Sequence, residues 1–75
     1  MRVTVYLKTP LFAVGHVPEN AWVLEAQANR PQGDLSGGLE VTVTGYRDAS
    51  GRPLDGEGLK LLVPNGKIDH VQIHE

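Results

Sequence analysis

Three histidines, His16, His70 and His74, are the side chains best suited to carry a proton or ligate a metal near neutral pH. Their spacing argues against a shared ion. His70 and His74 fall on one face of an apolar-alternating segment with Gln72 between them, which on a strand separates them by about 13 Å. They read as surface histidines, and His16, alone beside Gly15, reads as a histidine bonded to backbone. Asp69 precedes His70, but strand neighbours point to opposite faces, so this acid and base are not expected to meet.

Four acids, Asp34, Asp48, Asp55 and Glu57, stand beside or near glycine in segments with turn character, where aspartate bonds its own backbone. Asp48 to Glu57 lacks the alternating oxygen ligands of a calcium loop. Gly33, Gly37 and Gly38 open no helix and precede no Gly-Lys-Ser/Thr, so no phosphate cradle is expected. Cysteine is absent, which excludes disulfides, thiolate metal sites and a cysteine nucleophile. No catalytic residue, metal site, cofactor or small-molecule site is expected.

Surface recognition is the better prospect. Tyr6 and Tyr46 each lie opposite the apolar residues of their own alternating segments, as does Leu62, and Val23 joins them if its segment is a strand. Left uncovered, Tyr6, Tyr46 and Leu62 are candidates for a subunit or partner interface, where tyrosine is enriched. Tyr46 with Arg47 is the one aromatic and cationic pair resembling a single-strand nucleic-acid platform, extended by Arg52 and Lys60. Seven basic against nine acidic side chains, with no long run of either, lower that prospect. Trp22, in a chain with few aromatics, is expected in the core.

Period-two hydrophobicity positions these residues. Val3, Val5 and Leu7 mark a first strand, Leu39, Val41 and Val43 a second, and Leu59, Leu61 and Val63 a third. Val71 and Ile73 mark a fourth. Ile68 is out of phase with this last strand, and a short helical turn or bulge between Gly66 and Asp69 brings Ile68, Val71 and Ile73 inward together. Asn65-Gly66 is a turn signal that predicts a C-terminal hairpin.

Asp48 to Gly51 is a second turn, folding Leu54 back toward Tyr46. Pro53 makes that return strand short and places it at an edge. Leu11 to Val17 is expected to pair with the first strand after a connection at Thr9 and Pro10. Residues 21–28 fit a strand with Trp22, Leu24, Ala26 and Ala28 on one face, or a helix with Ala21, Leu24 and Ala28 in its stripe. The strand is favoured. Asn29 to Gly38 is a glycine-rich loop.

The chain is therefore expected to be a single domain over 1–75 of the all-β class. The architecture is a small antiparallel barrel or compact sandwich of five to six short strands with one short helical turn. Its ending of strand, tight turn, helical turn and strand resembles that of Sm-like and Src-homology-type small barrels, which bears on fold alone. Valine, leucine, isoleucine and phenylalanine exceed a quarter of the residues, above the roughly 20% below which disorder is expected. A domain this small buries only about 60% of its unfolded surface. With no disulfide to staple it, self-association or a protein partner is the expected reinforcement. No apolar stretch reaches signal-peptide or membrane-span length, so a cytoplasmic, non-enzymatic protein-contact domain is expected, with single-stranded nucleic-acid binding as the alternative.

Overall fold

The computed structural model describes residues 1–11, 18–28, 38–56 and 58–74. Among these residues six strands form one antiparallel sheet: β1 (Arg2–Leu11), β2 (Ala21–Ala28), β3 (Leu39–Arg47), β4 (Pro53–Leu54), β5 (Lys60–Val63) and β6 (Ile68–His74), with a 3-10 turn at Asn65–Lys67 before β6. The order across the sheet is β4-β3-β2-β1-β6, and β5 also pairs with β3. The strand β3 thus carries β5 along one half of its outer edge and β4 along the other.

Alternation does most of the construction. Val3, Val5, Leu7, Leu24, Ala26, Ala28, Leu39, Val41, Val43 and Val63 all turn inward to one buried cluster. Leu54, Leu59, Leu61, Ile68 and Val71 pack half-buried against it. Because one side of every main strand is committed to this cluster, a one-residue slip would expose a whole apolar row, and the register is correspondingly well specified.

One extra residue in β3 and one in β6 shift that alternation. Glu25 pairs with Gly45 but Ala26 with Val43, so Thr44 is an extra residue in β3. The Thr44 hydroxyl donates to the Glu25 carbonyl across this irregularity at 3.1 Å. Beyond it the phase of β3 is reversed, and Tyr46 is only 2% exposed, within the core. This corrects the expectation that Tyr46 lies on the face opposite Val41 and Val43: a bulge admits one residue without a partner, and every later side chain changes face. Similarly, Leu7 pairs with Ile68 and Tyr6 with His70, which leaves Asp69 extra in β6.

The expected hairpin between β5 and β6 does not form. The two pair with β3 and β1 respectively. Neither Asn65 nor Gly66 has the positive φ that a two-residue hairpin turn requires. Instead the Lys67 amide donates to the Pro64 carbonyl at 3.0 Å, and this turn carries the chain across to β1.

At Asp48 the hairpin between β3 and β4 does form. One carboxylate oxygen of Asp48 accepts from the amides of Ser50 and Arg52, both at 2.9 Å, and Gly51 supplies a φ of 88°. Two corrections concern the first strand. β1 runs through Thr9 and Pro10 rather than turning there, with its register against β2 shifting between Tyr6 and Leu11. Its partners are β2 and β6; the expected partner segment lies, beyond Leu11, outside the described residues. β2 is a strand, so the helical alternative for residues 21–28 falls, and Trp22 is half-buried rather than fully enclosed. Residues 29–37 of the glycine-rich loop, with Asp34, and also His16 and Glu57, lie outside the described residues.

Candidate functional site

The sheet has β1 between β2 and β6, so residues pointing away from the core on these three strands form one outer surface. Thr4 is opposite Glu25 of β2 and opposite Gln72 of β6; Tyr6 is opposite Val23 and His70; Arg2 is opposite His74. Val23 is in turn opposite Arg47 of β3. Thr4, Tyr6, Val23, Glu25, Arg47, Gln72 and His74, together with Gly51, line an open depression of about 290 Å³.

Its floor is organised by Thr4, the one polar residue among those described that is buried, at 5% exposure. The Thr4 hydroxyl donates to Glu25 Oε1 at 2.6 Å. His74 Nε2 lies 2.6 Å from the same hydroxyl oxygen. With the hydroxyl proton already given to the carboxylate, the oxygen can only accept from His74, so Nε2 must carry a hydrogen. The chain of bonds runs His74 to Thr4 to Glu25. This is the reverse of the polarity of a hydroxyl nucleophile, which gives its proton to histidine. The network therefore orients a carboxylate and an imidazole, and fixes the histidine tautomer, on an open face.

One wall is made by Tyr6, whose ring stacks on His70 with centroids 4.3 Å apart and planes at 14°. Its hydroxyl makes a long bond to Gln72 Oε1 at 3.4 Å. His70 Nδ1 also lies 2.9 Å from Asp69 Oδ2. This corrects the expectation that Asp69 and His70 point apart: the bulge at Asp69 turns adjacent side chains toward the same side. Both are well exposed, so the pair is worth little to stability. The opposite wall is Arg47, exposed at the end of β3, with one guanidinium bond to the Gly51 carbonyl at 3.3 Å.

The four candidates that the sequence offers thus part company. Tyr6 and Arg47 share the depression. Leu62 is 62% exposed on β5, separated from β1 by β3 and β2, and Tyr46 is in the core. Burial pushes the Tyr46 phenol above its usual value of 10.0. Sequence reasoning misses Thr4, Glu25, Gln72 and His74 as members of one site. Alternation puts each on a polar face, but only the order β2-β1-β6 makes those faces one. Among the described residues, no three histidine, aspartate or glutamate side chains gather as a metal site.

A further exposed feature is the edge of the sheet. Among the described residues β6 pairs with β1 alone, and its Ile73 is 57% exposed although its register partner Val3 is 2% exposed. No described helix is long and apolar enough to cross a membrane. Fold and surface together define a small antiparallel β-domain with a polar face and, among the described residues, an edge at β6. Comparison with known proteins finds no family model, curated protein or solved structure that matches the chain.

Proposed function

We propose that this chain is a non-enzymatic β-domain that works through protein contacts, the first of them with a second copy of itself along β6. The observation that carries the reading is the seven-residue edge of β6, which has no strand partner beyond β1 among the described residues and leaves Ile73 uncovered. An edge of that length offers a row of backbone donors and acceptors to another strand. Two such edges pairing antiparallel about a two-fold axis close into a dimer, in which each Ile73 gains cover. Leu62 on β5 offers a second apolar position for a different partner. The cytoplasm suits a chain without cysteine.

Size exclusion with light scattering tests the reading. A dimer is expected at concentrations on the order of 100 μM, reverting to monomer in Ile73→Lys with the circular dichroism spectrum retained. A wild-type chain that stays monomeric at that concentration overturns it.

A second reading takes the exposed stack of Tyr6 on His70, with Arg47 across the depression, as a platform for single-stranded nucleic acid. Glu25 and Asp69 on the same surface weigh against it. Salt-sensitive binding of short oligonucleotides, lost in Arg47→Ala, is its signature; no binding at low salt removes it.

A further inference from the structure

We infer that the depression on the outer face is a binding site for a small zwitterion of the α-amino-acid type, its ammonium group on Glu25 and its carboxylate on Arg47. This goes beyond the β6 contact and does not depend on it.

Two opposite charges share this concavity and do not pair with each other. Glu25 commits one carboxylate oxygen to Thr4, and its second oxygen has no partner among the described residues. Arg47 has one bond among the described residues, to the Gly51 carbonyl, so most of its five N–H donors are open. A guanidinium presents these donors in a fork matched to a carboxylate. The acid is held in place rather than free to swing, because the Thr4 hydroxyl grips it and His74 grips Thr4. A pre-positioned partner loses less freedom on binding.

The placement suits a molecule with an ammonium and a carboxylate on one carbon. Glu25 is opposite Gly45, and Arg47 is two residues further along β3 on the diagonal. Both side chains line the same depression, so one small ligand carrying both charges can engage them together. A volume of about 290 Å³ lies at the lower end of ligand pockets. The half-buried Val23 and the Tyr6 ring give it apolar walls, so an amino acid with an aliphatic side chain fits better than glycine.

The test is a titration of the full chain followed by amide chemical shifts, with L-leucine and its two single-charge relatives, 3-methylbutylamine and 4-methylpentanoate. L-leucine is expected to move the Thr4, Glu25 and Arg47 amides saturably, with a Kd on the order of 1 mM. Each relative should bind at least about tenfold more weakly. Glu25→Gln keeps an acceptor for Thr4 while losing the charge, and Arg47→Ala alters an exposed side chain; each should abolish the response while the other peaks stay in place. Absence of saturable shifts, equal responses to all three compounds, or binding that survives both substitutions overturns the proposal.

Discussion

Replacing Thr4 by valine keeps the shape of the side chain and removes the one hydroxyl that joins Glu25 to His74. Two hydrogen bonds are lost, each 2.6 Å long in the native protein. A bond to a charged acceptor contributes about 1.5–3 kcal/mol and a neutral one about 1. Both partners are only half-buried, so water replaces part of what is lost, and the net cost is about 1–2 kcal/mol. Set against a total of roughly 4–11 kcal/mol for a chain of this length, that is a substantial fraction. At about 4–8 °C per kcal/mol for a domain of this size, the melting temperature should fall by roughly 5–15 °C. Thermal melts followed by far-ultraviolet circular dichroism give the shift. A double-mutant cycle with Glu25→Ala isolates the pair, with a coupling of about 1 kcal/mol expected. Imidazole nitrogen shifts in the native protein should report hydrogen on Nε2 of His74. A melting temperature unchanged by Thr4→Val, with no coupling to Glu25, would refute the network as drawn.

Tyr46→Ala should cost about 3–5 kcal/mol, as truncation of a buried aromatic does, whereas a surface tyrosine would lose almost nothing; urea unfolding distinguishes the two. Burial raises the Tyr46 phenol above 10.0, so above that pH the native state binds more protons than the unfolded chain, and stability falls as pH rises. Tyr46→Phe should flatten this alkaline loss, seen as urea midpoints that decline less between about pH 9 and 11. Gly38 has a φ of 143°, and a Cβ there would overlap the Val63 carbonyl oxygen, so Gly38→Ala should cost about 2–4 kcal/mol. Gly51 has a φ of 88°, and a methyl added there would meet nothing within 4 Å, so Gly51→Ala should cost only about 1 kcal/mol; similar losses at both sites would contradict the close approach of Gly38 to β5.

The strands were legible wherever alternation was uninterrupted. Val3, Val5 and Leu7 and the run from Leu39 to Val43 announce both their conformation and their buried face. Legibility ended at the bulges. The phase of Tyr46 depends on one unpaired residue, Thr44, and although Gly45 beside it is a residue type that often accompanies a bulge, alternation itself continues through Thr42 and Thr44 without a break. Ile68 did betray the second irregularity, being out of step with Val71. Asn65-Gly66 misled for a different reason: the pair suits a tight hairpin, but a 3-10 turn satisfies the same residues and delivers β6 to β1. The depression was illegible for want of strand order. Thr4, Glu25 and His74 are far apart in the chain, and nothing in their local surroundings names β1 as the strand between the other two.

Amide hydrogen exchange along β6, measured at several protein concentrations, tests the open edge most directly. The amides that do not bond to β1 should exchange rapidly in dilute solution and slow as concentration rises, while those facing β1 stay protected throughout. Outward amides that exchange at one rate at every concentration would contradict pairing of β6 with a second copy.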